Sequence, residues 1–285
     1  MNPRALPPPL PIARLADRSL WPAVLLLAGV IRLFEVKDLD LALQDRFFDF
    51  VTGRWWIDAR NPVWRVLFYT GPKVVIIGVA VALAVVGFGP ARWRARLVVA
   101  RRDVFVALLT LASVPALIGL GKNATNVFCP SEIRRYGGSV PYVALCSPYP
   151  ENDRPSARGH CFPAGHASGG FALLGLAWLR RTRRGWWGGM ALGLGAGWAM
   201  GWYQMLKGAH YLSHTLVTML VAWILVLLWR RVLRSGDLND DFRAWGRLDR
   251  AEISDCRVQA STVSPEANSD TTVLPLCCSD SKCAP

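Results

Sequence analysis

The four histidines of this 285-residue chain lie in two stretches, His160 and His166 in one and His210 and His214 in the other. His210 and His214 are spaced i, i+4, so a helix there would put both imidazoles on one face. Three short polar clusters contain or border these residues. Residues 122–130 read KNATNVFCP, residues 161–170 read CFPAGHASGG, and residues 208–214 read GAHYLSH. Each adjoins an apolar run, where ionisable groups are costly unless used or paired. Together they hold what a phosphoester needs: cations and N–H donors for its oxygens, a nucleophile, and an acid for the leaving oxygen. Lys122 supplies a point charge. Gly165 permits close backbone approach, and the N–H groups after it open a helix whose dipole favours an anion. His166, with an unperturbed pKa of about 6.5, suits proton transfer to a leaving alkoxide.

The elements that must position these residues are membrane helices. The apolar fraction is 52% and the mean hydropathy +0.26, high for a soluble chain of this size, and many of the 13 Trp flank apolar runs as interfacial belts do. Apolar runs occupy residues 20–31, 74–88, 104–120, 167–179, 186–202 and 215–229. The first follows a basic, Pro-rich stretch but has no small-residue cleavage site after it, so it reads as a retained span rather than a signal peptide. The fourth is short against the roughly 20 residues a span needs, and is expected to begin inside the preceding loop. Pro115 is expected to kink the third. In the fifth, Gly185, Gly189, Gly193, Gly197 and Gly201 recur every fourth residue, a smooth stripe for close helix packing. Residues 35–65 alternate charge with aromatics, as an interfacial amphipathic helix or hairpin would. Residues 122–163 are rich in Pro, Gly and Cys without helical period, the character of a functional loop. The expectation is an all-α polytopic bundle of about six transmembrane helices over 20–232. A cytoplasmic tail at 1–19 precedes it, and a polar, disordered cytoplasmic tail at 233–285 follows.

A net charge of +13 would point to nucleic acid in a soluble protein. Here no basic-aromatic module accompanies it, and the charge sits in short clusters between apolar runs. Residues 91–102, 180–184 and 230–234 alternate so as to share one side, which the positive-inside rule makes cytoplasmic. The 35–65 region, the 122–165 loop and the 207–213 turn then face outward, with every histidine in or beside the last two. Of seven cysteines, Cys129, Cys146 and Cys161 fall in that outward segment, allowing one disulfide and one free thiol, and Cys256, Cys277, Cys278 and Cys283 lie in the tail.

The three clusters resemble the three motifs of the type 2 phosphatidic acid phosphatase (PAP2) superfamily, which includes the vanadium haloperoxidases. The first motif is Lys, six residues, Arg-Pro: Lys122 and Pro130 match and Cys129 replaces the Arg. The second is Pro-Ser-Gly-His: Pro163, Gly165 and His166 match and Ala164 replaces the Ser. The third is Ser-Arg, five residues, His, three residues, Asp: His210 matches, and Tyr203, Gln204 and His214 replace the others. The resemblance spans about residues 70–232 and its wording is similar to that of a divergent bacterial branch.

The resemblance implies a PAP2-like core and a metal-free, cofactor-free lipid phosphatase of a bacterial inner membrane, its site facing the periplasm. The substrate would be a phosphomonoester or pyrophosphate of phosphatidic acid, phosphatidylglycerol phosphate, polyprenyl or lipid A type, with phosphotransfer the variant outcome. His210 would form a phosphohistidine and His166 would protonate the leaving group. His214, at the orienting carboxylate's position, can accept a hydrogen bond from His210 but brings no negative charge. Glu132 is a candidate replacement carboxylate, and Lys207, Arg134 and Arg135 are candidates to restore phosphate-binding charge. A Cys129–Cys161 disulfide would tether the loop, and His160 is the remaining loop imidazole. Two other readings stay open: an inactive PAP2-like protein that binds lipid phosphate, and a membrane protein holding a metal or haem through His166, His210 and His214.

Overall fold

The computed structural model describes residues 18–233. The expectation of a disordered C-terminal tail, the tail cysteines, and most of the N-terminal tail lie outside the described residues.

The described chain is helical. α1 (Leu20–Val36) leads to a short α2 (Leu39–Gln44) and a two-stranded hairpin of β1 (Phe48–Asp49) and β2 (Arg54–Trp55), in which Phe48 pairs with Trp55. The 35–65 region, expected as a helix or a hairpin, holds both. α3 (Pro62–Phe88) follows, with a π-helical turn at Val66–Thr70; Pro62 suits its first turn, and the Asn61 side chain caps it by accepting from the Val63 N–H. Next come α4 (Ala91–Leu97), α5 (Arg101–Ala124), α6 (Gly165–Ala172), α7 (Arg183–Leu206) and α8 (Leu212–Leu233).

Three of these, α3, α5 and α8, are long and apolar enough to cross a membrane. Only 6% of the apolar window of α3 is buried within the chain, and Val74, Val75, Ile77, Val81 and Val85 point outward, as a lipid-facing helix requires. Each of the six expected spans falls on helical chain, but six crossings are not found by length and composition. α1 has 17 residues, and the 167–179 run is an eight-residue helix continued by a six-residue 3-10 segment. α7 has 24 residues but dilutes its hydropathy with glycine and tryptophan.

Those glycines are packing surfaces. A Cβ at Gly189 would lie 2.4 Å from Ala177 Cα, at Gly193 2.6 Å from Leu174 N, at Gly197 2.2 Å from the Phe171 ring, and at Gly201 2.5 Å from Thr215 Cγ2. The stripe thus presses α7 onto α6, its 3-10 continuation and α8. Val104, Val114 and Ile118 of α5 and Ala222 and Val226 of α8 complete the core.

The two ends of the bundle carry different loops. Arg181 pairs with buried Asp103 at the head of α5, Arg94 donates to the Val86, Gly87 and Gly89 carbonyls at the end of α3, and Arg230 lies over Trp178. Lys122 is on the last turn of α5, about 29 Å from Asp103 at helical rise. The basic loops therefore occupy one end and the histidines the other.

Candidate functional site

α7 ends at Leu206, and Gly208 reverses the chain with φ +72°, a left-handed conformation that glycine adopts without cost. The N-terminal segment holds this turn. Gln44 Nε2 donates to the Met205 carbonyl at 2.7 Å, the Ile57 N–H donates to the Leu206 carbonyl at 3.2 Å, and the Trp55 ring covers Gly208 so closely that a Cβ would sit 2.3 Å from it. Ser131 N–H donates to the Gly208 carbonyl, binding the loop after α5 to the same turn.

This scaffold places His210 just ahead of α8 and His214 in its first turn. Both are buried, and their Nδ1 atoms are 3.5 Å apart, within reach of one shared hydrogen bond. The His214 ring also bonds the backbone of Cys161 and meets the Phe162 ring edge-on. Asp40, from α2, closes the start of α8: its carboxylate accepts from the Ser213 N–H at 2.9 Å and from the Ser213 hydroxyl. Burial raises the Asp40 carboxyl to about 6 against the lowering effect of those bonds.

His166 opens α6. A Cβ on the preceding Gly165 would lie 2.9 Å from Lys122 Cε and 3.2 Å from its Nζ, so glycine lets the lysine lie across the helix start. The His166 ring is 4.8 Å from Tyr69 and 6.0 Å from His210, centroid to centroid, and its buried Nδ1 has no hydrogen-bond partner among the described residues. Burial first, then the charges of Lys207, Lys122 and Lys73, pull His166 down to about 4. Burial above all also holds His210 well below the ordinary histidine value. At neutral pH both rings are uncharged in the protein alone. That gives His210 a free lone pair. His166 becomes a proton donor only when an anion offsets the surrounding cations.

Two cavities meet at His166 and Tyr69. The smaller, about 260 Å³, is lined by Arg65, Tyr203 and Lys207 as well. Lys207 also lies 4.6 Å over the Tyr203 ring, and burial together with Arg65 lowers its pKa. The larger, about 510 Å³, runs between α3, α5 and α6, with Lys73, Lys122 and Gly165 near the histidine and Ile76, Ile77, Ala80, Leu111, Pro115 and Met200 along its apolar walls. Arg65, Tyr69 and Lys73 were not among the residues expected from the sequence. They lie in the stretch leading into the second apolar run, which carries no motif beyond their spacing of four residues.

Other expected residues lie elsewhere. Arg134 forms a two-pronged ion pair with Asp153, and Arg135 another with Asp45; both pairs are on the surface. The Glu132 carboxylate accepts from the Cys129 N–H at 2.7 Å and caps a 3-10 turn. None of the three lines either cavity at His166; Arg134 and Glu132 are held by partners in the loop and Arg135 by Asp45 of the N-terminal segment. His160 is exposed, its Nδ1 3.1 Å from the Lys122 carbonyl. The metal reading grouped His166 with His210 and His214, but the close set is Cys161, His210 and His214. Cys129 and Cys161 form a disulfide and Cys146 is an exposed free thiol.

Comparison with curated proteins and with solved structures gives no match. A family model described as PAP2 superfamily matches residues 103–235, from the head of α5 past the end of α8. That segment carries Lys122, His166, His210 and His214 in the order and at the bundle end described above, and the match supports membership of the PAP2 superfamily over it.

Proposed function

We propose that the protein is a membrane phosphatase that removes phosphate from a lipid phosphomonoester or pyrophosphate through a phosphohistidine on His210. The superfamily generally comprises phosphatases of phosphate esters, which supports hydrolysis at that coarse level. The observation that carries the lipid reading is the junction at His166 and Tyr69, where a cavity bearing Arg65 and Lys207 meets one with apolar walls beside the lipid-facing α3. A phosphate at the junction would have cations around it, and an acyl or prenyl chain would have the cleft.

In this reading the phosphate sits among Lys122, Lys207, Arg65 and Lys73. His210 Nδ1 faces His214, so Nε2 is the nitrogen that attacks phosphorus. The P–N bond forms as the P–O bond to the lipid breaks, and His166, protonated once the phosphate offsets its cationic neighbours, gives that proton to the departing oxygen. Neutral His166 then takes a proton from water as water attacks the phosphohistidine, which releases inorganic phosphate, frees His210 and leaves His166 protonated until the phosphate departs. A neutral His214 orients His210 without the charge of a carboxylate, so imidazolium character on His210 is less stabilised and a slower nucleophile is expected. The site would face the periplasm across a bacterial inner membrane, consistent with basic loops at the other end of the bundle.

The test is phosphate release from a panel of phosphatidic acid, phosphatidylglycerol phosphate, polyprenyl pyrophosphate and lipid A in detergent, with His210→Ala and His166→Ala alongside. Release from at least one lipid that both substitutions abolish supports the reading. Equal release from all three proteins sinks it, and binding without turnover favours a non-catalytic lipid-phosphate receptor.

A further inference from the structure

The imidazole pair has a third neighbour that the phosphatase chemistry leaves unused. Cys161 Sγ is 3.4 Å from His210 Nδ1, which is itself 3.5 Å from His214 Nδ1. The ligand-capable atoms of Cys161, His210 and His214 all lie within 4.8 Å of one another, and all three residues are buried. Zn–S and Zn–N bonds of about 2.3 and 2.0–2.1 Å put tetrahedral neighbours roughly 3.3–3.6 Å apart, so two of the three edges already match. The third edge is within 4.8 Å, and the bond to Cys129 now restrains the Cys161 side chain.

We propose that Cys161, His210 and His214 form a latent zinc site, open only when the Cys129–Cys161 disulfide is broken, and that zinc bound there silences His210. The backbone keeps Cys161 in place without the disulfide: its N–H donates to the Val127 carbonyl at 2.8 Å, and the next residue's carbonyl accepts from the Thr125 hydroxyl at 2.7 Å. The opening step is thiol–disulfide exchange. A dithiol delivers two electrons and two protons, becomes a disulfide itself, and leaves thiols on Cys129 and Cys161. Zinc then displaces the Cys161 proton to solvent and takes lone pairs from both imidazoles, with water as fourth ligand. The thiolate supplies the negative charge that a histidine pair lacks and offsets the nearby Lys122 ammonium. While the disulfide stands, Cys161 carries no thiolate and the pair alone is a poor zinc site.

The site is read with cobalt(II), which reports thiolate ligation through a near-ultraviolet charge-transfer band, on the full chain in detergent. Cys129→Ala, which leaves the Cys161 thiol free without reductant, should show the band with about one metal per chain. Cys129→Ala/Cys161→Ser and Cys129→Ala/His214→Ala should lose it. Oxidised wild type should lack it and gain it on treatment with a dithiol, which serves as the readout should Cys129→Ala fail to fold. The same spectrum in Cys129→Ala and its Cys161→Ser double variant would place the thiolate on Cys146 or a tail cysteine and overturn the proposal. So would absence of the band from both Cys129→Ala and reduced wild type. The cobalt arm needs no turnover, so its outcome is independent of the phosphatase reading. If turnover is present, zinc should abolish it in Cys129→Ala, reversibly with chelator, and leave oxidised wild type active.

Discussion

Asp40 accepts hydrogen bonds from both the backbone N–H and the hydroxyl of Ser213, the residue beside His214. Asp40 belongs to α2, well before the family-matched segment, so the N-terminal region closes the first turn of the helix that carries His214. Its folded carboxyl pKa, about 6, is above its ordinary 3.8. The folded state therefore binds the proton more tightly than the unfolded state between those values, and this group's contribution to stability falls as pH rises from 3.8 through 6. Relative to Asp40→Asn, the wild type should gain thermal stability between pH 7.5 and pH 5. A melting difference independent of pH would contradict this. Asp40→Ala should also lose the cap, worth about 1 kcal/mol.

His166 should titrate near 4 in the protein alone, because burial and three lysines disfavour its cation. Inorganic phosphate bound among those lysines should raise the midpoint toward the ordinary histidine value. Nitrogen-15 NMR of the imidazole, with and without phosphate, checks this. A midpoint unmoved by saturating phosphate would separate His166 from the anion site.

Among the surface and cavity cations, the structure divides the arginines. Arg65→Ala and Lys73→Ala should each lower kcat/KM by about tenfold, the scale of one charge-assisted hydrogen bond. Arg134→Ala and Arg135→Ala should change it by less than about twofold, since their guanidiniums are spent on exposed ion pairs. The opposite ranking would return the phosphate site to the loop.

Gly197→Ala should destabilise the bundle by about 1–3 kcal/mol, because its Cβ would fall 2.2 Å from the Phe171 ring. Gly195→Ala on the same helix meets nothing within 4 Å and should be neutral or slightly stabilising. Detergent melting curves distinguish the two, and equal effects would remove the packing account of the stripe.

The helices were legible in the sequence because hydropathy and the four-residue glycine period are local patterns. The grouping of Lys122, His166, His210 and His214 came from motif order. Arg65, Tyr69, Lys73 and Asp40 were hidden for a different reason: each reaches the site by tertiary packing from a segment that carries no motif. Arg134, Arg135 and Glu132 were plausible by proximity in sequence, but their partners, Asp153, Asp45 and the Cys129 N–H, could be identified only in three dimensions. Of the six expected spans, three are long and apolar enough to cross a membrane among the described residues. Where α6 packs against the glycine face of α7, a short helix continued as a 3-10 segment suffices to fill the core.

In the proposed reaction His210 carries the phosphate. Rapid acid-free quenching of the purified protein with a phosphorus-32-labelled lipid phosphate, followed by peptide mapping, tests it directly. A base-stable, acid-labile label on the peptide containing His210, absent from His210→Ala, is the expected result. Phosphate release by His210→Ala at the wild-type rate, or a label mapped to another residue, would contradict it.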